Sequence, residues 1–201
     1  MSEEKLTEKE RSFLLSYARR TIGRELGVDD FDPATDADIE NIGPHLKEKR
    51  GCFVTVHRSG QLRGCIGIFE SRGPLWKNVE EMAIQAAFHD PRFPPLAERE
   101  YEKIDIEISV LSPLRKIDNV DEIKIGKHGI YITRSFNRGV LLPQVATEQG
   151  WDRDTFLDHT CLKAGLSPGS WRKAGTVIEV FTAEVFGEKE SCSPNGCSSI
   201  C

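Results

Sequence analysis

The sequence predicts an α+β protein in which antiparallel strands pack against a few amphipathic helices. Apolar residues recur with helical period in three well-bounded segments, and the β-rich segments arrive mostly in pairs around short turn-forming connections. A parallel doubly wound sheet would instead alternate strand and helix along the whole chain. At 201 residues, the chain is long enough to bury roughly 70% of its unfolded surface without disulfide or metal staples.

Thr7 followed by Glu10 is a capping-box signature, and Phe13, Leu14, Tyr17, Ala18, Thr21, Ile22 and Leu26 share a helical face, so residues 8–26 read as a helix stopped by Gly27. After a turn-rich stretch, Ile39, Ile42 and Leu46 suggest a short helix blurred by Gly43-Pro44. Phe53 to His57 and Leu62 to Phe69 read as a hairpin around Arg58-Ser59-Gly60-Gln61. Trp76, Val79, Met82, Ala83, Ala86 and Ala87 give a second helix over 75–88, which the Pro-rich stretch 91–95 cannot continue. Ile104, Ile106, Ile108 and Val110 alternate with mostly polar residues, the pattern of a strand with one apolar face. Gly129 to Arg134 and Gly139 to Leu142 suggest two more strands joined by a polar loop. Asp152 caps a helix ending at Gly165, and Val177 to Phe186 reads as one long β run.

Composition removes several function classes. Hydrophobic content of 38% and charged content of 29% are globular values, which argues against disorder or a coiled coil. No stretch approaches the ~20 apolar residues of a membrane span, and the start lacks the apolar run of a signal peptide, so a cytoplasmic protein with no membrane association is expected. A net charge of −5 argues against a nucleic-acid footprint, though not against a local basic patch. Six Cys spread over the chain are not a secreted disulfide framework, and reduced thiols are the default. Residues 188–201 change abruptly to small polar residues with Cys192, Cys197 and Cys201 and read as a flexible tail; their spacing matches no common zinc pattern. His57, His128 and His159 stand alone, P-loop, dinucleotide, serine-hydrolase and zinc-protease motifs are missing, and neither a metal nor a cofactor is expected.

Chemistry concentrates in few places. In Leu62-Arg63-Gly64-Cys65-Ile66-Gly67, strand alternation puts Arg63, Cys65 and Gly67 on one face. A guanidinium beside a thiol favours thiolate, and Gly64 and Gly67 leave room for a ligand, although Cys65 also fits as a small buried hydrophobe. His89, Asp90 and Arg92 lie within four residues and offer a base, a carboxylate and an anion clamp, or else simply a helix end and its turn. Glu107 on the polar strand face could orient Arg63 or His89. Gln144 and Glu148, one helical turn apart, could face a cleft or only solvent.

Taken together, RGCFVTV, LRGCIG, HDPRFPPL, IEISVLSPL and RGVLLPQVATEQGWDRDTFLDHTCLKAGL closely resemble the AMMECR-one domain family, also called the AmmeMemoRadiSam system protein A family. The resemblance covers residues 8–187 and takes LRGCIG as its hallmark. It implies a barrel-like antiparallel sheet with flanking helices and two related strand-helix repeats. Two lobes are implied, a larger one from both chain ends and a smaller one inserted. It further implies a pathway shared with a Memo-like protein and a radical S-adenosylmethionine protein, but no reaction. Two readings follow: binding of a small anionic ligand or partner segment in a cleft around LRGCIG, or a thiol-dependent enzyme with Cys65 as nucleophile and His89 as base. A regulatory nucleic-acid-associated factor is a third.

Overall fold

The computed structural model describes residues 5–30, 32–71 and 73–189; the Cys192, Cys197 and Cys201 tail lies outside them. The described residues form two compact units, one from those between 5 and 110 together with 184–189, the other from residues 111–183.

In the first unit, α1 (Glu8–Leu26) begins at a complete capping box and ends where Gly27 takes a φ of 73°. Glu10 is fully buried. Its carboxylate accepts from the Thr7 backbone at 2.8 Å and from the His45 backbone at 3.1 Å, with the His45 ring at 2.9 Å. Burial pushes this carboxyl up, but the Thr7 and His45 bonds outweigh it and leave the pKa below the ordinary value. The Gly-Pro interruption separates α2 (Asp36–Ile42) from a 3-10 turn at Pro44–Lys47.

The first sheet has the order β2-β1-β3-β8, from β1 (Cys52–Arg58), β2 (Gln61–Ile68), β3 (Ile104–Leu111) and β8 (Ala183–Gly187). α1 and α3 (Leu75–Phe88) join its apolar side in one core, with Leu14, Ile22, Val54, Val56, Val79, Ala83 and Ile108 wholly buried. Each buried Leu, Ile or Val side chain contributes about 1.5–3 kcal/mol, which is why helical and strand periodicities had to agree on one interior.

The second unit repeats the plan. Hairpin β5 (Gly129–Arg134) and β6 (Asn137–Leu141) is followed by α4 (Pro143–Glu148) and α5 (Arg153–Lys163) and then by β7 (Val177–Phe181); β4 (Arg115–Ile117) completes the order β4-β7-β5-β6. Ile130, Ile132, Phe156, Leu157 and Cys161 fill this core. In each repeat a glycine lets strand and helix touch backbone to backbone. A Cβ on Gly64 would stand 2.0 Å from the Ala86 carbonyl oxygen, and one on Gly139 2.5 Å from the Ala164 nitrogen.

Three expectations need correcting. The strands form two open four-stranded sheets and not a closed barrel. The run 177–186 is two strands, because the chain leaves one sheet for the other at Thr182, whose backbone exchanges bonds of 3.0 and 2.9 Å with Ser112. The polar loop between β5 and β6 is only Ser135-Phe136, so the second strand starts at Asn137. Strand β4 was not anticipated: three residues are too few to display a period.

Candidate functional site

The LRGCIG segment is β2, an edge strand of the first sheet. A strict two-residue hairpin at Ser59-Gly60 would set Thr55 opposite Gly64. A register shift between Val56 and His57 instead sets Gly64 opposite Val56 and Cys65 opposite Thr55, with Arg63 at the irregularity. Simple alternation therefore fails at Arg63, and its guanidinium turns to Glu100, in the 3-10 turn Glu98–Lys103 before β3.

Glu100 is 6% exposed. Arg63 grips it as a fork, Nε to Oε1 and Nη2 to Oε2, both at 3.1 Å, and Arg58 adds a bond of 2.8 Å. Its other contact is the Ala97 backbone N–H at 3.0 Å, and Arg63 Nη2 also donates to the Pro95 carbonyl at 3.3 Å. Arg63 above all holds the Glu100 carboxyl down to about 2 against the cost of burial.

Asp90 makes the matching clasp. Only 3% exposed, it accepts from Arg92 Nη2 at 2.8 Å and Nε at 3.0 Å, and from the Cys65 backbone N–H at 2.9 Å. Arg92 Nη2 returns a bond to the Cys65 carbonyl at 3.2 Å. The outward-facing amide and carbonyl of an edge strand are thus satisfied by an ion pair where a further strand would otherwise lie. The Arg92 guanidinium leads the effects that hold Asp90 near 2. The Phe93 ring lies beside both guanidiniums, 5.9 Å from Arg63 and 5.7 Å from Arg92.

Cys65 is 7% exposed, and its sulfur accepts from the Thr55 hydroxyl at 3.2 Å. Glu107 is the cross-strand neighbour of Thr55 on the other side, so thiol, hydroxyl and carboxylate stand in one row across β2, β1 and β3. That row is not a freely solvated face: Ser109, further along it, is 6% exposed and Glu107 is half-buried. The other described thiols, Cys52 and Cys161, are buried and free; burial pushes Cys52 up to about 12 and raises Cys161.

The structure brings Arg63, Gly64, Cys65, Asp90 and Arg92 into one network, with roles that differ from the expected ones. Arg63 and Arg92 each serve a buried carboxylate, and the orienting carboxylate for Arg63 is Glu100, not Glu107. His89 caps α3 through its backbone N–H, 2.9 Å from the Gln85 carbonyl, while its exposed ring makes no hydrogen bond among the described residues. Gly67 lies opposite Phe53, where a Cβ would stand 2.3 Å from the ring, so its role is packing. Gln144 and Glu148 stand on α4 and take no part in the network. No three His, Cys, Asp or Glu side chains among the described residues could hold a metal ion.

Glu100 and Thr55 are the residues that sequence reasoning missed. Glu100 sits three positions after Ala97, a capping spacing hidden by the absence of a Ser or Thr there. Thr55 could be matched to Cys65 only by knowing the register shift.

The chain is a two-unit α+β protein whose hallmark strand is clasped by two ion pairs with buried carboxylates, and it belongs to the AMMECR1 family, whose model matches residues 15–186. It is 46% identical over 202 residues to Protein MK0488 of Methanopyrus kandleri, covering 95% of this chain and 94% of that one. It is 44% identical over 193 residues to Protein MJ0810 of Methanocaldococcus jannaschii, covering 92% and 93%. The crystal structure of the uncharacterized protein PH0010 from Pyrococcus horikoshii superimposes with a TM-score of 0.74 at 39% identity, covering 88% of this chain and 90% of that one.

Proposed function

We propose that the protein is a binding module that receives an anionic group, on a small ligand or on a partner's segment, at the rim formed by Arg58, His89 and Arg92 beside the LRGCIG strand. The supporting observation is the charge balance of the network. Three guanidiniums, of Arg58, Arg63 and Arg92, meet two carboxylates, of Asp90 and Glu100, that stay ionised at neutral pH. Arg58 and Arg92 keep 46% and 39% of their side chains open to water, so the surplus positive charge faces outward while the thiol is enclosed.

Thermal denaturation with phosphate, sulfate, citrate or ATP tests this. At least one anion should raise the midpoint in a saturable manner, by an amount that grows with the logarithm of its concentration. The rise should shrink in Arg58→Ala and in His89→Ala. No rise with any anion, or an equal rise in all three proteins, rejects the rim.

The thiol-dependent enzyme is the second reading, favoured by the Thr55 hydroxyl aimed at the sulfur, since a donor to sulfur stabilises thiolate. A Memo-like protein and a radical S-adenosylmethionine protein are the partners that family resemblance suggests, and a cytoplasmic location is the reading supported by the lack of a span-length apolar stretch in the sequence. For association with nucleic acid, the third reading, the net charge of −5 is unfavourable.

A further inference from the structure

The two hairpins have turns of the same length, and comparing them exposes a second surface. Each places a serine at positive φ, Ser59 at 54° and Ser135 at 56°. The first turn is completed by Gly60, with a φ of 77°. Phe136 completes the second, and its side chain is 100% exposed, far more than any other large apolar residue described. A two-residue turn needs no aromatic ring at that position, as Gly60 demonstrates, and Phe136 contributes nothing to either core.

The charges at the two turns differ as well. Arg58, before the first turn, is tied to Glu100 at 2.8 Å. Arg134, in the same place before the second, has no ion pair among the described residues. Asn137 Nδ2 donates to the Ala164 carbonyl at 2.8 Å, which brings the last turn of α5 and its exposed Lys163 to this tip. Val177 pairs with Thr133, so the turn closed by Thr176 N–H to Lys173 O enters the sheet at the same end and adds the exposed Lys173. Neither lysine has an ion pair among the described residues. A projecting aromatic ring thus shares one end of the sheet with three cations, Arg134, Lys163 and Lys173, in a chain of net charge −5.

We propose that the β5–β6 tip is a docking knob for an acidic polypeptide segment. Apolar side chains of that segment close over the Phe136 ring, and its carboxylates meet Arg134, Lys163 and Lys173. Aromatic and arginine side chains dominate protein–protein hot spots when a partner encloses them. Single-stranded nucleic acid is less well matched, because its readers line a groove with successive aromatic platforms and this tip carries one ring on a convex end. An anionic membrane is also less well matched, because one inserted side chain gives only marginal anchoring.

A random dodecapeptide display library selected on the full chain, after depletion on the Phe136→Ser protein, tests the knob. The enriched sequences should combine several Asp or Glu with one or more large apolar residues. A synthetic peptide of the leading sequence should bind the Phe136→Ser protein at least about thirtyfold more weakly, and should lose affinity as salt is raised. Ser at an exposed turn leaves the fold intact, which an unchanged circular dichroism spectrum and thermal midpoint verify. Failure of any sequence to enrich over the depleted pool overturns the proposal, as does enrichment without acidic residues. Binding of a dT20 oligonucleotide or of phosphatidylglycerol vesicles that depends on Phe136, with no such peptide, overturns it in favour of the other partner.

Discussion

Replacing Asp90 by Asn keeps the side chain's shape and removes its charge. Asp90 carries four bonds in the fold, three from Arg92 counting its backbone N–H and one from the Cys65 amide. A carboxyl held near 2, against 3.8 ordinarily, corresponds to roughly 2.5 kcal/mol of native-state preference for the ionised form. Because the folded pKa lies below the unfolded one, this stabilisation is fully present above the ordinary aspartate range and is lost as pH falls toward 2. Asp90→Asn is therefore expected to destabilise the first unit by about 2–3 kcal/mol at pH 7 and by much less at pH 2. Urea unfolding followed at Trp76, in α3 of that unit, with Trp151 and Trp171 replaced by Phe, gives the free energy at each pH. Hydrogen exchange of the Cys65 amide, which bonds to Asp90, reports the clasp itself. A loss below about 0.5 kcal/mol at pH 7, or an unchanged Cys65 exchange rate, refutes the view that this ion pair holds the edge strand.

Other perturbations separate the structural parts from the chemical ones. Gly64→Ala must move α3 from β2, since its Cβ would meet the Ala86 carbonyl oxygen at 2.0 Å; a loss of about 3 kcal/mol is expected in denaturant titration. Gly60→Ala, at an open turn with a φ of 77°, should cost only about 1 kcal/mol, read in the same titration. Glu10→Ala removes the acceptor shared by Thr7 and His45 and should cost about 3 kcal/mol or more. Since the folded Glu10 pKa is depressed, its contribution should disappear on acidification through the carboxyl range, seen as a gap between wild type and variant that narrows at low pH. Iodoacetamide should modify Cys65 in the native chain at least about tenfold more slowly than an exposed model thiol, with the rate unaffected by His89→Ala. A rapid reaction at neutral pH that slows in His89→Ala would instead support the thiol enzyme.

Periodic features were legible in the sequence and register was not. The segments 8–26 and 75–88 coincide with α1 and α3 because apolar spacing and stop signals agree at each, with a capping box added at the first. Phe13 to Leu26 could only be read as one helical face. Arg63 was misread for the opposite reason: alternation assumes an unbroken ladder, and one irregularity beside Val56 sends the guanidinium to a carboxylate 37 positions away in sequence. Asp90 and Arg92 were singled out for their chemistry, but no local signal showed that the Arg92 guanidinium would pair with the Asp90 carboxylate. Thr182, at the change of sheet, is a β-favouring residue, so nothing interrupts the pattern where the chain changes sheets.

The position of β8 has a consequence for how the chain is made. Strands β1, β2 and β3 leave the ribosome early, yet the neighbour that completes β3 is synthesised only after the whole of residues 111–183. During translation β3 must wait with a bare edge while a contiguous unit, supplying all four strands of its own sheet, is free to form. A nascent chain halted near residue 183 would carry that uncovered edge into solution, with self-association as its natural outlet.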